Sequence, residues 1–374
     1  MPRTTDSDAC PGALQVHQAA DGPLARVRLP GGMITAEQLE VLAQTATRFA
    51  AGTLELTARG NLQLRGITDT AAVADAVTAA GLLPSVTHER VRNIVASPLS
   101  GRTGDGVVDV RPWVAELDRA IQDCPDLAGL PGRFLFSIDD GRADVSGLAA
   151  DAGLHAEADG ASLLLAGSDS GVRVGHREAI PALVAVARRF AGVRGNAWRV
   201  LELDDHDVLL DGFARSDPPA RTFGPSRPPV GWIEQSDGKV TLGAAVPLGV
   251  LSARQAQFVA AIGAPVVITP WRSLLVCDLD EGVADASLRM LPPLGLVFDE
   301  TSRWLDVTAC VGSPGCDRSL ADVRADAARV AESGSTAGPV HYVGCERACG
   351  SPLTAEVMVA TGDGYRSLRG PAVG

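Results

Sequence analysis

The sequence predicts an α+β protein that contains one structural unit twice, and two observations lead to this prediction. The first is a repeated segment: PGGMITAEQ at 30–38 recurs as PLGVLSARQ at 247–255. The second is the capping box in both segments, which satisfies the free amides at the start of a helix. Both copies therefore predict a turn and a helix at the same point of the repeat. The capping pairs are Thr35 with Gln38 and Ser252 with Gln255.

The elements after the capping box also come in the same order in both copies. Each predicted helix is followed by a strand, a tight basic turn, a second strand and an alanine-rich helix. The recurrence of five elements in one order argues against a chance match. Two β-α-β-β-α copies predict two ferredoxin-like half-domains related by a pseudo-twofold axis. The equivalent segments are 54–57 and 266–269, 61–67 and 273–279, and 71–80 and 284–291.

Two mixed α/β units are predicted between and after the copies. The first has helices at 114–122 and 178–192, with apolar residues at helical spacing, and a strand at 133–138. The Pro-rich stretch 216–229 is the clearest linker. We expect the same pseudo-twofold to relate the two mixed units. The predicted boundaries are 1–88 for the first half-domain, 89–219 for the unit without cluster cysteines, 220–292 for the second half-domain and 293–374 for the cysteine-containing unit.

Composition and charge exclude several classes of protein. The chain has 374 residues, of which 46% are hydrophobic and 21% charged, as in ordinary folded proteins. Its net charge of −12 argues against a nucleic-acid partner, because phosphate binding needs an excess of Lys and Arg. Neither a signal peptide nor an apolar run long enough for a membrane span is found. We therefore expect a cytoplasmic protein with no membrane or nucleic-acid partner.

Four of the seven cysteines form two pairs framed by Gly and Pro. Cys310 and Cys316 are spaced Cys-x5-Cys, and Cys345 and Cys349 are spaced Cys-x3-Cys. Glycine and proline let the backbone approach a bulky inorganic core, so the pairs predict a 4Fe–4S cluster. Structural zinc is the alternative, but zinc pairs are usually two to four residues apart.

The surroundings of the cysteines give further expectations. Residues 317–332 predict an amphipathic helix, which would place Cys316 at a helix N-terminus, where thiolate charge is stabilised. The remaining three cysteines lack Gly/Pro framing and are expected to be ordinary thiols. Disulfides are not expected in a chain without an export signal. The three are Cys10, Cys124 and Cys277.

The cysteine spacing resembles the cluster signature of the nitrite and sulfite reductases, which hold a 4Fe–4S cluster beside a sirohaem. Three further segments resemble that family: TARGNLQLR at 57–65, VRNIVASPLSG at 91–101 and LPGRF at 130–134. Within the superfamily, 308–327 and 341–350 look most like the cluster segments of the precorrin-3B synthases, oxygenases of aerobic cobalamin biosynthesis. The reductases more often have Pro-Asn where this chain has Glu346-Arg347.

This resemblance implies a specific chemistry. Precorrin-3A would be hydroxylated at C20 with O2, and the ring A acetate would close to a γ-lactone. The tetrapyrrole would then occupy the cleft in which a reductase holds its sirohaem. A sirohaem-dependent sulfite or nitrite reductase and a non-catalytic tetrapyrrole carrier are the alternatives, and an additional iron stays open.

A tetrapyrrole with eight carboxylates needs fixed cations, and the planar guanidinium of arginine matches a carboxylate with two hydrogen bonds. Arg59 and Arg272 lie in the tight turns of the two copies, so the pseudo-twofold would aim them at one ligand. Asn93 is expected to hydrogen-bond the macrocycle or its carboxylates. The candidate substrate-binding residues are Arg59, Arg65, Arg92, Asn93, Arg133 and Arg272, with Arg90 a further arginine of the same segments.

The histidines and the Gly-rich segments predict no further metal or cofactor site. The histidines form no metal-binding pattern, and His341 is expected to pack in a strand beside the second cysteine pair. No Gly-x-Gly-x-x-Gly motif follows a strand, so neither flavin nor nicotinamide binding is predicted. Electrons are therefore expected from an external reductase or ferredoxin. No residue is predicted to act as a general base.

Overall fold

The computed structural model describes residues 10–215, 221–334 and 338–370. The predicted linker at 216–229 therefore begins outside the described residues, and its described part contains neither helix nor strand. None of the described helices is long and apolar enough to cross a membrane.

The helices and strands fall into four stretches of the chain. The first contains β1 (His17–Ala19), β2 (Gly22–Val27), β3 (Met33–Ile34), α1 (Ala36–Phe49), β4 (Thr53–Leu56), β5 (Leu62–Leu64) and α2 (Thr70–Ala79). The second contains β6 (Ile94–Ala96), α3 (Arg111–Gln122), β7 (Phe136–Asp139), β8 (Ala152–Glu157), β9 (Gly160–Leu165), β10 (Ser168–Val174) and α4 (Ala179–Val193). The third contains β11 (Gly231–Glu234), β12 (Val240–Ala245), β13 (Val250–Ser252), α5 (Ala253–Ala260), β14 (Val266–Ile268), β15 (Ser273–Leu279) and α6 (Glu281–Met290). The fourth contains β16 (Val307–Ala309), α7 (Val323–Ser333), β17 (Val340–Val343), β18 (Glu356–Ala360) and β19 (Tyr365–Arg369).

The first and third stretches are the two predicted copies, and their elements correspond one to one. Both capping boxes are present. The backbone N–H of Gln38 donates to Thr35 Oγ1, and the backbone N–H of Thr35 donates to Gln38 Oε1. Ser252 and Gln255 make the same two bonds at the start of α5. The predicted duplication is therefore confirmed.

Each copy contributes one short strand to the sheet of the other, which the sequence does not predict. The first sheet has the order β1-β2-β5-β4-β13, with Val250 opposite Glu55. The second has the order β11-β12-β15-β14-β3, with Ile34 opposite Val266. One apolar core holds buried residues of both copies. The two half-domains are therefore a single packed unit rather than two independent ones.

The second and fourth stretches each build a sheet of their own. The second forms a five-stranded sheet, β10-β9-β8-β7-β6, in which β6, β7 and β8 are parallel. Helices α3 and α4 pack on this sheet over a separate apolar core. The fourth forms a four-stranded sheet, β16-β17-β18-β19, whose first three strands are parallel and against which α7 packs.

Two buried arginines join these two sheets to the duplicated unit. Arg65, after β5, donates two hydrogen bonds to Asp21, and its Nη2 also donates to the Gly315 carbonyl of the fourth stretch at 2.8 Å. Near the end of β15 in the other copy, Asp278 accepts from Arg102 Nε and Nη2 at 2.9 and 3.1 Å. Arg102 belongs to the second stretch, so each copy is fastened to a different outer unit.

Replacing Arg102 by alanine is expected to lower the free energy of unfolding by about 2 kcal/mol, because its buried side chain loses two charge-assisted hydrogen bonds to the partly exposed Asp278. The Arg102 side chain is only 6% exposed. Arg111→Ala is the matched control, since Arg111 and Asp109 form an ion pair with both side chains exposed, and its loss is expected to be about 1 kcal/mol or less. Urea denaturation measures both. Equal losses in the two variants would contradict the role of the Arg102 pair.

Candidate functional site

Two of the four paired cysteines lie at the carboxyl ends of neighbouring parallel strands. Cys310 directly follows β16, and Cys345 follows β17 after a single glycine. In the pairing of these strands, Thr308 is opposite His341. Parallel strands end at the same edge of a sheet, so the first members of both pairs meet at one edge.

The loops that carry Cys316 and Cys349 fold over the same edge. The backbone N–H of Gly344 donates to Cys310 Sγ at 3.4 Å, and that of Leu320 donates to the Gly344 carbonyl at 3.1 Å. Burial raises the pKa of the Cys349 thiol, and the charges of the other three paired cysteines raise it further, although Arg347 opposes them. The other three thiols are therefore near enough to disfavour the thiolate form of Cys349, and a cationic core among the four would remove that repulsion.

A 4Fe–4S cluster and a single metal ion require different arrangements of these thiols. In the described part of the chain, no three His, Cys, Asp or Glu side chains form a group that could hold a metal ion. A cubane cluster binds each thiolate at a different iron, so its ligands lie farther apart than the ligands of one ion. The amide N–H directed at Cys310 Sγ is a hydrogen bond of the kind that the sulfurs of a cluster accept.

The predicted helix at 317–332 is wrong at its start. Helix α7 begins at Val323, where Asp322 accepts from the backbone N–H of Ala325 as the N-cap. The preceding residues use their backbone bonds elsewhere: Ser319 N–H donates to the Cys316 carbonyl and Ser313 N–H to the Ala321 carbonyl. Cys316 is therefore in a turn rather than at a helix N-terminus, because the cysteine loops take up the amides that a longer helix would need.

His341 packs in β17 beside the second cysteine pair, as predicted. Its Nε2 lies 3.1 Å from the Cys349 carbonyl and its Nδ1 lies 2.8 Å from Thr308 Oγ1. A carbonyl only accepts, so Nε2 carries the proton. Burial first, and then the positive charges of Arg272 and Arg369, lower the pKa of His341 to about 3. The imidazole is therefore neutral and orients the Cys349 backbone.

The first sheet has a polar face opposite its apolar core. Along β2, the apolar residues Ala25 and Val27 alternate with Arg26 and Arg28, and along β5 the leucines flank Gln63. A strand points successive side chains to opposite faces, so the arginines and the glutamine share the face away from the core. This polar face, formed by Arg26, Arg28, Glu55, Gln63 and Arg65, lies between the two outer units.

A continuous row of hydrogen bonds crosses the polar face. Arg26 Nη2 donates to Gln63 Oε1 at 2.8 Å, and Gln63 Nε2 donates to Glu55 Oε2 at 2.8 Å. The other oxygen of Glu55 is 2.7 Å from Arg324 Nη2, on α7 of the cysteine-containing unit. The row therefore links Arg26 of β2 to the unit that carries the four cysteines.

Arg28 is a functional candidate that the sequence interpretation missed. It is 2% exposed, and its Nη1, like Arg26 Nε, has no hydrogen-bond partner among the described residues. Its other nitrogens donate to Cys10 Sγ at 3.4 Å, to the Pro11 carbonyl and to the Arg90 carbonyl. Burial and the charge of Arg26 lower its pKa to about 9, so it stays charged at neutral pH. A buried guanidinium with an unused donor is suited to an anion.

Arg59 extends this arginine group from the turn after β4. Its Nη1 donates to the Gly132 carbonyl at 3.3 Å. Burial first, and then the charges of Arg199 and Arg26, lower its pKa to about 10, while Cys10 opposes this shift. Of the predicted substrate-binding arginines, Arg59 is therefore the one that lies in the same electrostatic field as Arg26 and Arg28.

The other predicted residues are held by protein groups. Arg92 donates two hydrogen bonds to Asp118 at 2.6 and 2.9 Å. Asn93 Nδ2 donates to three carbonyls, including that of Gly132 at 2.9 Å. Arg65 is paired with Asp21, as described above. These three residues therefore shape the walls of the site rather than offering open donors.

Arg133 lies in the second stretch of the chain, whereas Arg272 lies in the duplicated unit and reaches toward the fourth stretch. The exposed Arg133 stacks its guanidinium 5.3 Å from the ring centre of Trp198. Arg272 Nη2 donates to the Gly350 carbonyl at 2.8 Å, beside Cys349. The turns of Arg59 and Arg272 are equivalent, but one guanidinium contacts the second stretch of the chain and the other contacts the fourth.

Comparison with known proteins places this fold and site among relatives. Residues 17–79 match the family model of the nitrite/sulfite reductase ferredoxin-like half domain. The structure of Mycobacterium tuberculosis NirA superposes with a TM-score of 0.77 at 21% identity, covering 93% of this chain and 77% of that one. A precorrin-3B synthase from a Sinorhizobium species is 29% identical over 96% of this chain and 81% of its own length. The chain therefore has the fold of the nitrite and sulfite reductases and is similar in sequence to enzymes of that group.

Ferredoxin-dependent members of the superfamily match over shorter parts of their length. The Leptolyngbya laminosa ferredoxin–nitrite reductase is 30% identical over 50% of this chain and 35% of that enzyme. The chloroplastic enzyme of Arabidopsis thaliana is 25% identical over 89% of this chain and 66% of that enzyme. The predicted superfamily fold is therefore confirmed, and its first half-domain is the one that carries the polar face.

Proposed function

We propose that this chain is a monooxygenase of the precorrin-3B synthase type, which hydroxylates precorrin-3A at C20 with O2 and closes the ring A acetate to a γ-lactone. The observation that carries the proposal is the similarity to the Sinorhizobium precorrin-3B synthase, which extends over nearly the whole of both chains. That similarity includes both half-domains and both outer units. A nitrite or sulfite reductase activity has less support, because the Leptolyngbya enzyme is matched over only 35% of its length.

The substrate of this reaction carries eight carboxylates, and the polar face offers cations for them. Arg28 and Arg26 have unused donor nitrogens there, and Arg59 lies in the same field. Guanidinium groups in a partly dry site bind carboxylates strongly. The tetrapyrrole therefore lies against the polar face of the first sheet, with its carboxylates on these arginines and the cysteine-containing unit at the other end of the hydrogen-bonded row.

Cys310, Cys316, Cys345 and Cys349 hold a 4Fe–4S cluster, which supplies single-electron transfer when bound. A monooxygenase puts one oxygen atom of O2 into the product and releases the other as water, which consumes two electrons and two protons. An external reductase or ferredoxin supplies these electrons. Four reduced cysteine ligands are suited to the cytoplasm, where thiols are kept from forming disulfides.

The proposal is tested by anaerobically purified protein given precorrin-3A, a chemical reductant and then 18O-labelled O2. A product heavier by one labelled oxygen, with the mass and spectrum of the lactone, is expected by mass spectrometry. The same mixture with nitrite or sulfite in place of precorrin-3A tests the reductase alternative. Binding of precorrin-3A without any turnover would favour a carrier and contradict the enzyme.

A further inference from the structure

The turn between β14 and β15 repeats the turn between β4 and β5 bond for bond. In the first copy, Thr57 N–H donates to the Asn61 carbonyl at 2.9 Å and Gly60 N–H donates to the Thr57 carbonyl at 3.2 Å. In the second copy, residues 269–273 make both bonds at the same distances, with Arg272 in the position of Gly60. The two turns therefore have one backbone shape, although they share only the first threonine, and Arg272 stands where the first copy has Gly60.

That position needs a left-handed backbone. Gly60 has φ = 65° and Arg272 has φ = 57°. Glycine adopts this conformation freely, whereas a residue with a Cβ atom is destabilised in it. The second copy thus holds an arginine in a strained conformation where the first copy has the unstrained residue. Backbone strain of this kind is typical of residues with a function.

The surroundings of Arg272 leave room for its side chain. A Cβ atom on Gly249 would lie 2.8 Å from Arg272 Cδ, and one on Gly350 would lie 2.7 Å from Arg272 Nη2. Both glycines have positive φ, so any side chain there would be strained as well. The guanidinium donates to the Gly350 carbonyl, one residue after Cys349. The side chain therefore reaches from the duplicated unit into the loop of the second cysteine pair.

The Arg272 guanidinium keeps its positive charge at neutral pH. Burial and the charge of Arg324 lower the pKa of Arg272 to about 10, while Glu55 and Cys310 raise it. Arg272 therefore stays protonated at neutral pH, within electrostatic range of Cys310 and His341. Glu55 offsets part of this charge, but Glu55 is already paired with Arg324.

We propose that Arg272 is a positioning residue for the cluster: it holds the loop of Cys349 and keeps a positive charge beside the four thiolates, which makes the cluster easier to reduce. This inference rests on the proposed cluster function of the cysteines. A reduced cluster carries one more negative charge than the oxidised cluster, and a nearby cation stabilises the reduced form more. The strained turn places both the hydrogen bond to the Gly350 carbonyl and the positive charge at this position.

The test is the midpoint potential of the cluster, measured by redox titration followed by EPR in three variants and a control. Arg272→Gln and Arg272→Gly should both lower the potential, and Arg272→Lys, which keeps the charge, should stay near the unaltered protein. Arg272→Gly also removes the backbone strain, so it remains informative if the glutamine variant folds poorly. The control is Arg369→Gln, because the exposed Arg369 donates to the Pro352 carbonyl of the same loop and solvent screens its charge.

Unchanged potentials in both neutral variants would overturn the proposal, as would an equal shift in Arg369→Gln. An unaltered protein with no cluster signal would overturn it together with the assignment of the cysteines. A cluster that responds as expected in a protein that makes no product would instead contradict only the proposed oxygenase function. The two failures are therefore distinguishable.

Discussion

Replacing Cys345 by serine is expected to abolish the cluster, leaving protein with little iron and no cluster absorption. A serine hydroxyl is not ionised near neutral pH and cannot replace the thiolate at its iron. The apolar cores of the fourth stretch are small, so cluster binding also contributes to the stability of this unit. By analogy with structural metal sites, where binding contributes on the order of 10 kcal/mol, the unit should become sensitive to proteases.

Cys124→Ser is the matched control for this loss. Cys124 is also partly buried, but it lies in the second stretch of the chain, packed against the core of that unit. Its replacement should leave iron content and absorption unchanged. A Cys345→Ser protein that keeps a full complement of iron and sulfide would contradict the assignment of Cys345 as a ligand.

Replacing Arg28 by methionine is expected to weaken precorrin-3A binding by about 2–5 kcal/mol, the usual cost of removing one partner of a buried charged hydrogen bond. Methionine keeps most of the apolar volume of the side chain and removes the charge. The protein should still fold, because removal of a buried cation with an unused donor offsets the loss of its bonds to the Pro11 and Arg90 carbonyls. Calorimetric or fluorescence titration under anaerobic conditions measures the dissociation constant.

Arg188→Met is the control, because Arg188 is exposed on α4 and pairs with Asp126 on the surface. The affinity of the Arg188→Met protein for precorrin-3A should match that of the unaltered protein. Equal affinity in Arg28→Met would place the substrate away from the polar face of the first sheet.

The duplicated unit could be predicted from the sequence because its signals are local. The capping boxes of α1 and α5 are made within four residues, and the strands of each copy have clear apolar patterns. The exchange of β3 and β13 could not be predicted in the same way. Each is a strand of two or three residues beside a Pro/Gly turn, and nothing in such a short segment indicates which strand it will pair with. The predicted start of α7 was wrong for a related reason. The loop before this helix makes a backbone hydrogen bond to Gly344, which is distant in sequence.

The residues of the candidate site also differ in whether local sequence is enough to predict them. The cysteine pairs could be recognised from spacing and from their Gly and Pro neighbours. The arginines could not be ranked, because their partners are distant in sequence: Arg92 meets Asp118 and Arg65 meets Asp21 only in the folded chain. Arg28 could have been found from the alternation of β2, where charged residues interrupt an apolar strand at every second position.

The most direct test of the account is the visible and EPR spectrum of the protein as purified without oxygen. The account predicts a broad brown absorption that bleaches on reduction, with an EPR signal of a reduced 4Fe–4S cluster and no sirohaem bands. Strong sirohaem bands would contradict the oxygenase assignment in favour of a reductase. A colourless protein that contains zinc would contradict the cluster itself.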